Sequence, residues 1–113
     1  MISKLKTAKV LLAENKLPMD AASFYKSLIL TGAMKDVEYA STTGSGEMKS
    51  FVQLTDQGLE YGENKASGWH ELKTEPKFYE HQFGQAYMAA CQGALDHAKT
   101  IFGGHTIAEK GQQ

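Results

Sequence analysis

The chain contains no arginine: all twelve of its basic residues are lysines. Arginine carries the planar fork that pairs bidentately with guanine edges. Any contact to nucleic acid therefore falls to the point charges of lysine, and sharp base reading is disfavoured. There is one cysteine, Cys91, which excludes an intrachain disulfide and a cysteine-based zinc site. That usage fits a reducing cytoplasm. No apolar run approaches the roughly 18 residues that would cross a bilayer. Lys4, Lys6 and Lys9 interrupt the stretch where a secretory signal needs an unbroken apolar core.

Motifs for chemistry are also missing. There is no Gly-x-Ser-x-Gly, P-loop or zincin pattern. His70, His81, His97 and His105 form no His-x-x-x-His pair, so neither a metal nor a cofactor is expected. Cys91 and His97 stand on different faces of a helix, and Cys91 is expected to pack in the core rather than act as a nucleophile. Glu60 and Glu63 belong to a wet helix end. An enzyme is not expected.

With 113 residues, 42% hydrophobic and 22% charged, the chain has the size and composition of one globular domain. Its net charge of -1 argues against strong non-specific binding to nucleic acid. The charge is uneven. Residues 1–35 set six lysines against Glu14 and Asp20. Residues 36–64 set Lys49 against Asp36, Glu38, Glu47, Asp56, Glu60 and Glu63. The basic part is the N-terminal helical part, where the lysines also fit a plain solvated helix face.

The pattern predicts a first helix over Ser3–Asn15, capped by Ser3 and ended by Leu17-Pro18. Asp20 caps a second helix, Ala21–Thr31, with Gly32 at its C-cap. Its apolar face is Ala21, Phe24, Tyr25 and Leu28. The other face carries Ala22, Ser23, Lys26, Ser27 and Leu30, which suits either presentation to a partner or an ordinary wet side. Strands are expected over Met34–Ala40 and Met48–Leu54, joined by a polar Ser/Thr/Gly loop. That loop either lies beside a sugar-phosphate backbone or serves only as a hairpin tip. Thr55 caps a short helix over Asp56–Tyr61.

Residues 63–76 read as a polar arm. Trp69 in it either pins the arm to the domain or anchors a partner. Phe83, Tyr87, Ala90, Cys91, Ala94 and Ala98 predict a long helix over Glu80–Phe102, stopped by Gly103-Gly104. Its alanine-rich face either packs on its own domain or pairs with its copy in a homodimer.

The expected fold class is α+β: a winged helix-turn-helix, with helices plus a two-stranded β wing, and a long C-terminal helix. The expected division is a winged-helix core over 1–64, an extended arm over 65–79, the helix over 80–102 and a flexible tail over 103–113.

Three segments carry a family resemblance: Met19 to Met34, then Val52-Gln53-Leu54-Thr55-Asp56-Gln57-Gly58-Leu59-Glu60-Tyr61-Gly62-Glu63-Asn64-Lys65, then Lys73-Thr74-Glu75-Pro76-Lys77-Phe78-Tyr79. In them the chain resembles the C-terminal domain of phage antirepressors, the KilA-C type. The resemblance implies a regulatory winged-helix module of phage or prophage origin, here as a stand-alone copy, binding DNA or a repressor.

Double-stranded DNA is the first expected partner. Ser23, Lys26 and Ser27 would face the major groove, with Thr42, Thr43, Ser45 and Lys49 on the backbone. The alternative is a protein-binding module that inhibits a repressor or host factor through Trp69, Phe78 and Tyr79. No membrane partner is expected.

Overall fold

The structure, a computed structural model, describes residues 4–40, 46–66 and 73–111, with side chains as far as residue 103. The described residues are α+β: three α-helices, the last of them long and C-terminal, and two small antiparallel sheets.

The described residues open on a two-residue strand, β1 (Leu5–Lys6), and only then enter α1 (Ala8–Glu14). Here the expected start at Ser3 is corrected. Thr7 is the N-cap, its Oγ1 accepting from the Val10 N–H at 3.3 Å. Leu5 and Lys6 are held out of the helix by pairing with Tyr79 and Phe78. Lys6 also bridges Glu14 and Glu80, each at 3.0 Å, tying the end of that helix to the turn that follows Tyr79.

The second helix, α2 (Ala21–Thr31), has the bounds expected of it. Asp20 Oδ1 accepts from the Ser23 N–H at 2.8 Å. Gly32 takes φ 87°, and its N–H donates to Ile29 O at 3.1 Å. That left-handed residue is nearly free for glycine and costly for other residues. The chain then runs directly into β2 (Met34–Ala40), which pairs with β3 (Met48–Leu54) from Met34↔Leu54 to Ala40↔Met48. This two-stranded hairpin was also expected.

After β3 comes a 3₁₀ turn over Gln57–Glu60, shorter than the helix expected there. Thr55 supports it: its hydroxyl donates to Gly32 O at 2.6 Å and accepts from the Gly58 N–H at 3.3 Å. Gln57 Nε2 donates to Thr31 O at 3.1 Å, so the turn is fastened beneath the end of α2.

The supposed arm is largely strand. β4 (Gly62–Ala66) and β5 (Thr74–Tyr79) pair from Gly62↔Phe78 to Ala66↔Thr74. With β1 they form a three-stranded sheet in the order β1-β5-β4. The polar sequence of β4 hides this because it is half-exposed and its side chains bond laterally. Asn64 acts as a substitute strand partner for β3: its Oδ1 accepts from the Leu54 N–H at 2.8 Å and its Nδ2 donates to Leu54 O at 2.9 Å.

A 3₁₀ turn over Glu80–Gln82 leads into α3 (Phe83–Gly111), 29 residues long. Gly103-Gly104 does not stop it, contrary to the expectation from sequence. A glycine in a helix costs about 1 kcal/mol relative to alanine but does not force an exit. The core lies where α1, α2, β5 and α3 meet. Phe24, Phe78 and Phe83 form its centre, with ring centroids 5.2–5.8 Å apart. Leu11, Leu28, Met34, Leu54, Ala86 and Ala90 close around them.

Candidate functional site

Two elements present the candidate surface: the outer side of α2 and the β2–β3 hairpin that follows it. On α2, Ala22, Ser23, Lys26 and Leu30 are exposed. Ser23 is already engaged at the N-cap. Its hydrogen bonds hold the Asp20 carboxyl below the usual carboxylate range, with a smaller contribution from the Lys26 charge.

Ser27 must be removed from this surface: it is 7% exposed. It faces α3, and a Cβ built on Gly93 would come within 3.0 Å of its carbonyl oxygen. Lys26 is therefore the cation on the outer side of α2.

On the hairpin, Lys49 is exposed and pairs in register with Tyr39, whose ring lies 5.7 Å from that of Phe51. Lys35 is exposed across from Gln53. Asp36, Glu38 and Glu47 stand among these lysines and dilute the positive charge. Thr42, Thr43 and Ser45 of the hairpin loop lie outside the described residues, as does Trp69.

Two residues expected to meet a protein partner are placed differently. Phe78 is fully buried in the aromatic centre, so it holds the fold together and is not available as a contact. Tyr79 is half-buried, and its hydroxyl donates to Glu63 Oε2 at 3.1 Å. Burial, then the Glu63 carboxylate, pushes its phenol above the ordinary tyrosine range.

Pairing of β4 with β5 creates a feature that the sequence reading missed. An open groove of about 590 Å³ lies between α2, β3 and the β4–β5 sheet. Tyr25, Phe51 and Pro76 supply apolar wall, and Lys65, Lys73 and Lys77 supply charge. Lys65 pairs with Glu63 and Lys77 with Glu75, each at 3.0 Å. Thr74 Oγ1, on the same strand, is buried with no hydrogen-bond partner among the described residues. Burial and the Glu75 charge push the Tyr25 phenol up. The signal that could have found the groove is the aromatic pair Phe78-Tyr79 after a proline, which reads as strand once a partner is supplied.

Cys91 is exposed on α3 and not in the core, which corrects the expectation from its helical spacing. Burial raises the neighbouring Tyr87 phenol, and a hydrogen bond with Cys91 adds to the rise. Among the described residues no three His, Cys, Asp or Glu side chains are grouped to hold a metal ion. No helix among them is long and apolar enough to cross a membrane. Comparison of the chain with protein-family models, curated proteins and solved structures finds no match.

Proposed function

We propose that the chain is a DNA-binding regulatory module of phage or prophage type, akin to the KilA-C domain. In this reading α1, α2 and the β2–β3 hairpin work as a winged helix-turn-helix. The observation that carries it is the unbroken run from α2 through Gly32 into the hairpin. A capped helix with an exposed lysine thereby leads directly into a two-stranded hairpin, which this reading takes as the wing. α2 would lie in the major groove with Lys26 and Ser23 toward the DNA, and Lys35 and Lys49 would meet phosphates from the wing.

Few cations are engaged, so the salt dependence is shallow. Three phosphate contacts correspond to a slope of about -3 in log K against log salt. Fluorescence anisotropy of the full chain with a mixed-sequence duplex at two salt concentrations measures it. Lys26→Ala and Lys49→Ala should each weaken binding and reduce the slope by about one. A slope near -8, or binding unchanged in both variants, counts against this surface.

A second reading, a protein partner such as a repressor or host factor, is favoured by the acidic residues on the hairpin and by the apolar groove wall at Tyr25. Absence of DNA binding at low salt, where attraction to phosphate is strongest, would favour it.

A further inference from the structure

α3 has two apolar faces. Ala86, Ala90 and Gly93 lie against α2 and the core. On the other side Gly84, Met88, Cys91, Leu95, Ala98 and Phe102 recur at alternating steps of four and three, the spacing of a helix–helix seam. Met88 is 64% exposed, Leu95 49% and Phe102 60%. Large residues stand at 88, 95 and 102, and small ones at 84, 91 and 98.

We infer that this outward seam pairs antiparallel with the same seam of a second copy, each large side chain entering the slot over a small residue. A two-fold axis level with Gly93 sets Met88 over Ala98 of the second copy, Leu95 over its Cys91, and Phe102 over its Gly84. A parallel pair would instead set large against large and small against small, which no single helix spacing accommodates.

Gly84 adds an independent reason. A Cβ built there meets nothing within 4 Å, so packing within the chain does not require a glycine. Glycine is also a poor helix former. The slot it leaves is the one that receives Phe102 of the second copy. At the flanks Ile101, 50% exposed, reaches the half-buried Tyr87 of the other copy. Lys99 falls beside its Gln85, so no like charges are opposed.

Met88, Leu95, Ile101 and Phe102, at roughly 200 Å² each when fully exposed, contribute about 400 Å² per chain. The pair total, near 900 Å² with the small residues, sits just under the ~1,000 Å² of a specific interface. Association is accordingly weak and reversible, with a dissociation constant in the micromolar range or looser. It is independent of what α2 and the hairpin bind.

Sedimentation equilibrium of the full chain over roughly 5–500 μM brackets that constant. The expected result is a reversible dimer that Gly84→Leu and Phe102→Ala each weaken at least tenfold, with helical circular dichroism unchanged. Both positions are exposed, so the fold tolerates the changes. Orientation is read by mixing Met88→Cys and Ala98→Cys chains, each also carrying Cys91→Ala, under mild oxidation. Disulfides between unlike chains should predominate. A monomer at every concentration, a dimer indifferent to both substitutions, a dimer tightened by Gly84→Leu, or predominant cross-linking between like Met88→Cys chains would each overturn the inference.

Discussion

Gly58 and Gly62 sit where a side chain has no room. A Cβ at Gly58 would collide with the Ala33 carbonyl, and one at Gly62 with the Lys77 carbonyl. Both obstacles are backbone and cannot rotate away. Gly58→Ala and Gly62→Ala should each cost about 2–3 kcal/mol, read as a lower urea midpoint. Little change in either variant would mean that the 3₁₀ turn and β4 are not seated as described.

Asp20 gives the pH counterpart. Its carboxyl is held below the ordinary aspartate value by hydrogen bonds from Ser23, so the charged form is favoured in the folded state. Stability from this cap is present above the unfolded value and declines as pH falls through the folded value. Asp20→Asn should flatten the acid limb of thermal stability below about pH 4. An acid limb unchanged in the variant would remove the cap from the account.

The elements divide by how locally they are determined. α2 and the β2–β3 hairpin carry their own boundary signals, Asp20, Gly32 and alternating apolar residues, and their extents are readable from sequence. β1 and β4 are not, and β5 was expected only as part of an extended arm over 65–79. Leu5-Lys6 and Gly62–Ala66 become strands only because β5 lies between them, a pairing that no local pattern encodes. Gly103-Gly104 misled in the opposite direction, since glycine weakens a helix without obliging it to end. Lys26 and Lys49, named from sequence, are exposed on α2 and β3. The burial of Ser27 and Phe78 was not readable there, because it depends on α3 and β5 arriving from far along the chain.

The packing of α3 yields an element-scale prediction. Gly93→Ala sets a Cβ 2.6 Å from Thr31 Cγ2, on a side chain already held by its hydroxyl's bond to Leu28 O at 2.7 Å. It should destabilise by about 1–2 kcal/mol. Gly84→Ala, in open space, should stabilise the monomer by roughly 0.5–1 kcal/mol. Opposite signs for one substitution in one helix check the facing of α3, and equal signs would contradict it.

At the scale of the whole molecule, α3 runs for about 43 Å at 1.5 Å per residue, well past the 11-residue α2 against which it packs. Ala86, Ala90 and Gly93, which meet α2 and the core, lie on the side of α3 opposite its outward seam. The two proposed surfaces share no residue. With net charge near zero, the proposed DNA binding would have to rest on where the lysines stand and not on an overall field.

The most direct test of the proposed function maps the contact itself. Amide chemical shifts of the labelled chain are followed as a short DNA duplex is added at low salt. The account predicts saturable changes concentrated at Asp20 to Lys26 and around Lys35 and Lys49. Changes confined to the seam of α3 from Gly84 to Phe102, or no changes at all, would contradict it.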